Sequence, residues 1–472
     1  MNSPSKRVLI IYTNGDPPEV TRKTITDHLN VMEYCDINHD VVYYNTYETV
    51  PHLTQIDTKS GHIPDELCNR YFDAIILHYT FLSFRTLGLP FYKWKRKFDW
   101  IRDLKALKIA IPQDEADYAA LLDEWLYDLG VSVIFSVHYK SEGPLYPTMR
   151  NYAEIYPCLP GYIEEKTAQE FRSNLLSVAV REKDIVYRAR RLPHWYGRAG
   201  LLKYRIADVV EPKAKALGFN VDISTRVEDS IMSRDWLKFL ASSKAVIGTQ
   251  GGYSAINWRG ELKEEIRAIL REESALSFEE VSAKMQPGWD DYQLFTITPR
   301  HFEAVITKTC QLLLEGEYKG VLEADKHYIA LKKDFSNLDE ALERLRDHSY
   351  VQQMVDQAYE DIYLSGHYTY RIFSKKIEEA IIRHNHMERR PMALQSGVDA
   401  SEEAIAALER ELIAERQQNA LLFAVLPDLA EQMVDMVISA LGKRLKARIR
   451  KFLPLVLVLI LAGVVVILLS LS

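Results

Sequence analysis

The densest group of chemically useful side chains lies in DIVYRARRLPHWYGRAGLLKYRI. Arg188 and Arg190 alternate there on one face of a strand end, and Arg198 and Lys203 follow in a loop leading to a helix. Guanidinium forks suit phosphate oxygens and offset the charge that builds on a leaving diphosphate. Solvated or interdomain salt-bridge roles would explain the same residues singly. In AVIGTQGGYSAINWRGE a buried strand ends in Gly248, Gly251 and Gly252, with Ser254 beside them. Glycines there let backbone N–H groups approach an anion, although a tight turn needs them equally. In TPRHFEAVITKT, Pro299 starts a helix and Glu303 sits on its first turn. That carboxylate could accept both hydroxyls of a ribose or simply complement the helix dipole. In the first third of the chain, His78 closes DAIILHY, and IPQDEAD puts Gln113, Asp114 and Glu115 just after another strand end. A histidine or carboxylate at such a position could take the proton of an acceptor hydroxyl, while a lone strand-end histidine serves equally well as a structural residue.

Missing motifs narrow the chemistry. GxxxxGK[ST], HExxH, GxSxG and a GxGxxG after the first strand are absent, and no Asp-x-Asp pair occurs. The P-loop, zinc-protease, esterase-elbow and ordinary dinucleotide readings therefore lack their mechanical parts. Any diphosphate must be met by helix N-termini and fixed cations, with no metal site built into the protein and no cofactor required.

The elements that must position these residues alternate. VLIIYT, VVYY, DAIILHY, KIAIP and VSVIFS read as buried parallel strands separated by amphipathic helices, which predicts a doubly wound α/β domain over residues 1–175. A second alternation (IVYRARR, NVDIS, AVIGTQGG and the segments after them) predicts another Rossmann-like domain over 176–345. Residues 346–386 read as closing helices, and 387–450 as a linker and helical stalk. The stalk is either a short coiled coil that would pair copies of the chain or a solvated helix. Two such domains place a cleft between the carboxyl ends of their sheets, where nucleotide-type ligands bind.

Composition sets the outer bounds. At 472 residues the chain holds about three structural units, and 47% hydrophobic with 26% charged residues excludes wholesale disorder. Fifty-nine Lys and Arg against 66 Asp and Glu give a net charge of −7, which argues against nucleic acid as a partner. Cys35, Cys68, Cys158 and Cys310 are scattered, without metal-binding spacing, and suit a reducing compartment. From Phe452 to Ser472 there is no charge, and a helix of that length matches a hydrocarbon core about 30 Å thick. Lys443, Arg444, Lys446, Arg448, Arg450 and Lys451 precede it. The positive-inside bias then predicts a single-pass C-terminal anchor in the cell inner membrane with the body facing the cytoplasm.

The blocks YRARRLPHWYGRAGLLKYRI, GTQGGYSAINWRGE, TPRHFEAVITKT, EADKHYIALKKDFSNLDEALERLRD and HYTYRIF together resemble GT-B glycosyltransferases, in particular the group 1 type with a CgeB-like C-terminal half. The resemblance covers about residues 6–385. It implies that the second domain binds a nucleoside-diphosphate sugar, that Glu303 contacts its ribose, and that the helices from Tyr350 to His384 cross back to the first domain. Retaining members carry Glu-x7-Glu, whereas the residue eight before Glu303 is Phe295. The stereochemistry of transfer therefore stays open.

The expected function is transfer of a sugar to a glycan or lipid-linked acceptor in surface-glycan or glycolipid synthesis, by an enzyme of the hexosyltransferase type. Donor contacts are expected from Arg188, Arg190, Lys203, Gly251, Gly252, Ser254 and Glu303, and the base from His78, Asp114 or Glu115. A catalytically silent membrane scaffold and a nucleotide-sugar epimerase are the alternatives.

Overall fold

The computed structural model describes residues 5–15, 21–49, 61–88, 90–173 and 175–384. The linker, the stalk, the basic flank and the apolar run Phe452–Ser472 lie outside them. Among the described residues no helix is long and apolar enough to cross a membrane.

The first lobe is built on six strands: β1 (Arg7–Tyr12), β2 (Asp40–Asn45), β3 (Ala74–His78), β4 (Leu107–Ile111), β5 (Val133–Ser136) and β6 (Glu154–Pro157). They pair in the order β2-β1-β3-β4-β5-β6, every pair parallel. Successive side chains of a strand point to opposite faces, and both faces here are apolar. Leu9, Ile11, Ile75, Leu77, Ala110 and Ile134 enter one core. Val8, Ile10, Ala74, Ile76, Ile109 and Ile111 enter the other. The first five strands lie where the apolar runs predict them. The sixth, EIYP, is short and only partly buried, and no apolar run marks it.

The second lobe carries β7 (Lys183–Arg188), β8 (Val221–Ser224), β9 (Ser243–Gly248), β12 (Cys310–Leu314) and β13 (Ile329–Leu331), again all parallel, in the order β13-β12-β9-β7-β8. Between β9 and β12 the chain makes an excursion bounded by an antiparallel pair, β10 (Gly251–Tyr253) with β11 (Leu294–Thr296). Two Rossmann-like lobes of parallel strands face one another, which is the GT-B arrangement.

Two seams join the lobes. At one, Ile163 and Tyr370 exchange backbone bonds with Tyr368 and Ile163, and the helix Tyr370–His384 then seats Tyr370, Phe373, Ile377 and Ile381 in the first lobe's core. The preceding helix, His348–Ala358, stays on the second lobe through Val351, Met354 and Val355. The crossing therefore belongs to the last helix alone. At the other seam the excursion docks Tyr253, Ile256 and Leu294 into the first lobe's other core. There Asn257 N donates to Ala116 O (2.9 Å) and Ala119 N to Asn257 O (3.0 Å). Asp117 accepts from Asn257 Nδ2 (2.9 Å) and Lys263 Nζ (2.8 Å), all three side chains being buried.

Candidate functional site

A cavity of about 380 Å³ opens between the lobes at the carboxyl ends of β7 and β9. Tyr187–Arg190, Val246–Thr249 and the helix start Thr298–His301 form one wall, and Arg22, Lys23 and Thr24 of the first lobe reach it from the opposite side. The position is the one strand topology dictates, since loops leaving parallel strands diverge there and leave a crevice.

Charge defines this cavity. Arg22, Lys23, Arg188, Arg190, Lys203, Arg226 and Arg300 line it, against a single carboxylate, Glu303. Three of the cations are already neutralised: Lys23 by Asp27 (2.6 Å), Arg188 by Asp222 (2.7 Å) and Arg226 by Asp229 (3.0 Å). Among the described residues, Arg22, Arg190, Lys203 and Arg300 have no carboxylate within ion-pair distance. Arg300 instead donates to the carbonyl of Arg188 at 2.5 Å and lies over the Trp236 ring. Burial lowers the Lys203 ammonium's pKa, and Asp114 opposes that shift.

Glu303 stands at the foot of this wall on the helix Pro299–Ile306, which opens on a proline; it is the fifth helical residue, beyond the first turn that the sequence predicts for it. Trp236 Nε1 donates to Glu303 Oε2 at 2.7 Å. No hydrogen bond to Oε1 is present among the described residues, so this oxygen remains available to a donor in the cavity. Burial pushes the carboxyl above its ordinary range, partly offset by the Trp236 bond and the nearby Arg300.

Several expected assignments change. Arg188 lines the cavity, but its guanidinium is committed to the carbonyls of Tyr187, Asp222 and Asp229 as well as the Asp222 carboxylate, so it braces the β7–β8 edge. Arg198 and Lys203 lie inside the helix Arg198–Ala216, not in a loop before it, and Arg198 pairs with Asp290. Gly251 and Gly252 do not line the cavity. Both are crowded: Gly252 sits at φ +101°, and a Cβ there would lie 1.9 Å from Leu294 O of β11, while a Cβ on Gly251 would lie 2.6 Å from Thr298 Cγ2. Ser254 is buried, and its Oγ accepts from Ala199 N (3.1 Å), closing the helix start. The strand end that does line the cavity is Gly248 with Thr249.

On the first lobe, His78 is 1% exposed and caps the short helix Tyr79–Leu82. Its Nε2 meets His28 Nδ1 at 3.0 Å, and burial beside that second imidazole holds its pKa well below the usual value. Glu115 is fully buried and accepts from Ser136 Oγ (2.6 Å), Tyr146 Oη (2.6 Å) and Val137 N (2.8 Å). Both are corrected to structural residues, because core closes over the strand ends that carry them. Asp114, between Gln113 and Glu115, is exposed and held in the left-handed region at φ +51°. Buried Arg85 fixes that loop by donating to the carbonyls of Gln113 (3.1 Å), Asp114 (2.7 Å) and Asp117 (3.0 Å). The Asp114 carboxylate acts on Tyr79 of its own lobe and on Lys203, Tyr196 and Tyr253 of the other. Of the three acceptor-side candidates it alone is exposed and acts on both lobes, although it does not itself line the cavity.

Sequence reading missed Arg22, Arg300 and Trp236. Arg300 stands three residues before Glu303 and could have been read with it, whereas Arg22 and Trp236 carry no local signal. A glutamate pair at the tested spacing does occur at Glu315 and Glu323, just beyond β12, but neither lines the cavity. No cluster of three or more His, Cys, Asp or Glu suited to a metal ion is present among the described residues.

No family model matches the chain, and no curated relative does. Solved structures similar to it include an alpha-glucosyltransferase in complex with UDP and DNA, at TM-score 0.42 and 10% identity over 80% of this chain and 100% of that one. Sucrose-phosphate synthase from Thermosynechococcus elongatus gives 0.42 and 10%, covering 80% and 98%. Anabaena HepE in complex with UDP-glucose gives 0.41 and 10%, covering 80% and 100%. These likenesses are weak, and the architecture and chemistry of the chain are read from its own strand order and side chains.

Proposed function

We propose that the chain is a glycosyltransferase that moves a sugar from a nucleoside-diphosphate sugar to an acceptor hydroxyl. The observation that carries this reading is the excess of unneutralised cations in a crevice at the strand ends, beside one carboxylate with an oxygen to spare. Arg190, Lys203 and Arg300 hold the diphosphate and stabilise the charge it gains as the bond from the sugar carbon to the phosphate oxygen breaks. Glu303 Oε1 accepts a ribose hydroxyl. The acceptor oxygen forms the new bond to the sugar carbon, and its proton passes to Asp114. The CgeB-like subtype and the hexosyltransferase class belong to this proposal, as does a glycan or lipid-linked acceptor.

The anchor is part of the same reading. Phe452–Ser472 with the six preceding cations would hold the body at the cytoplasmic face of the cell inner membrane and concentrate it near lipid-linked acceptors. Recovery of the full chain in the soluble fraction at high salt would remove that part.

The donor assignment is tested by thermal unfolding of the detergent-solubilised chain with UDP, GDP, TDP, ADP and CMP and their common sugars. A ligand at a hundred times its Kd adds about 2.7 kcal/mol. A selective rise that Glu303→Ala abolishes supports the reading. No rise with any nucleotide rejects it and favours a scaffold.

A further inference from the structure

We propose that Arg22 is the first lobe's phosphate-binding residue, so that a phosphate-bearing ligand in the cleft is gripped from both lobes at once. This rests on the function proposed above and adds to it a residue outside the second lobe. Arg22 precedes the helix Lys23–Leu29, and its position is fixed by its own carbonyl, which accepts from Ile25 N (2.9 Å) and Thr26 N (3.4 Å). Its neighbour Lys23 is spoken for by Asp27 (2.6 Å) and Glu164 (3.6 Å). Arg22 has no such partner among the described residues. It is exposed and lines the same cavity as Arg190, Lys203 and Arg300.

Four like charges around one cavity repel one another unless an anion sits among them, and their field draws such an anion in. The fold supplies carboxylates to Lys23, Arg188 and Arg226 around the same cavity, whereas these four have none among the described residues. A guanidinium offers phosphate oxygens two parallel N–H donors, which an ammonium cannot. The same helix bears on the rest of the site, since Lys23 and Asp27 both influence the ionisation of Glu303 across the cleft. The phosphate can belong to the donor's diphosphate or to a phosphorylated acceptor, and the two sources separate experimentally.

The full chain in detergent is titrated calorimetrically with inorganic pyrophosphate, comparing wild type with Arg22→Gln, Arg22→Lys and the exposed control Arg205→Gln. Arg22→Gln is expected to weaken pyrophosphate about tenfold to a hundredfold, the loss usual for a charged hydrogen-bonding partner. Arg22→Lys recovers part of it, and Arg205→Gln changes nothing. Ligand-free melting temperatures show that the exposed substitutions leave the fold alone. A second arm saturates the protein with the nucleotide that binds and titrates inorganic phosphate. If Arg22→Gln loses only this second binding, the acceptor supplies the phosphate. If Arg22→Gln matches wild type in both arms, the inference is overturned while the donor site of Arg190, Lys203 and Arg300 stands. A wild type that binds neither pyrophosphate nor any nucleotide overturns both.

Discussion

Trp236 and Glu303 are joined by one hydrogen bond, Nε1 to Oε2 at 2.7 Å, across two helices of the second lobe. The bond fixes the plane of the carboxylate and so aims its other oxygen at the cavity. Trp236→Phe keeps most of the packing and removes the donor. Nucleotide affinity should fall about fivefold to tenfold, the worth of a typical hydrogen bond, with a larger fall in Glu303→Ala. Calorimetric titration of both variants checks the order, and a Trp236→Phe effect exceeding that of Glu303→Ala would contradict the positioning role.

Arg188 and Arg190 should behave differently despite being two residues apart. Arg190→Ala removes a cation that has no carboxylate partner among the described residues and should weaken nucleotide binding while leaving the melting temperature near wild type. Arg188→Ala strips donors from three carbonyls and from Asp222. It should destabilise the protein by about 2 kcal/mol or more. Unfolding curves with and without nucleotide separate the two effects.

Asp117 is the only carboxylate that pairs with Lys263 among the described residues, and both side chains are about 10% exposed. Asp117→Ala leaves a buried ammonium without a counter-ion, a change that costs about 3–5 kcal/mol. Replacing both residues with apolar ones of similar size should recover much of the loss. Chemical denaturation of the single and double variants tests this, and an additive double variant would show that the pair is not coupled.

Asp27 carries a pH dependence of stability with a definite sign. Burial raises its carboxyl from 3.8 to about 6 despite the neighbouring Lys23. The folded state therefore holds the proton more tightly than the unfolded chain, and stability from this group is present below pH 4 and lost as pH rises through about 6. Relative to Asp27→Asn, wild type should lose stability across that window. Parallel unfolding curves from pH 4 to 7 would show otherwise.

Most of the parallel strands were legible because burial on two faces writes near-continuous apolar runs, and those runs located the cleft; the partly buried EIYP strand wrote none. Pro299 announced the helix start, but Glu303 is its fifth residue and lies beyond the first turn that the sequence pattern suggested, so the dipole reading loses its position while the carboxylate still lines the cavity. Gly251 and Gly252 were not legible: the residues that crowd them, Thr298 and Leu294, come some 40 residues later, and glycines before a bulky neighbour look like glycines around an anion. His78 and Glu115 were read as facing the cleft because strand ends usually do, yet the helix after β3 and the Tyr146 hydroxyl close core over them. Arg188 looked available because its acceptors, the carbonyls of Asp222 and Asp229, leave no trace in side-chain pattern. Lys203 lines the cavity from inside a helix and not from the loop expected of it, and Asp114 stays exposed beside residues of the other lobe.

One face of the first lobe's sheet takes part of its cover from Tyr253, Ile256 and Leu294, beside the lobe's own Phe81, Trp94 and Trp125, and the other takes part from a helix that ends at His384, beside Leu29, Val31 and Met32. A ribosome therefore finishes the last strand of that sheet, at Pro157, long before it supplies either late part. At about 5–20 residues per second the wait from there to His384 lasts roughly 10–45 s. During that interval the side chains that meet the late residues stay uncovered, above all on the face that awaits Tyr370, Phe373, Ile377 and Ile381, which makes the amino-terminal third a natural client for a ribosome-associated chaperone and a poor choice for expression on its own.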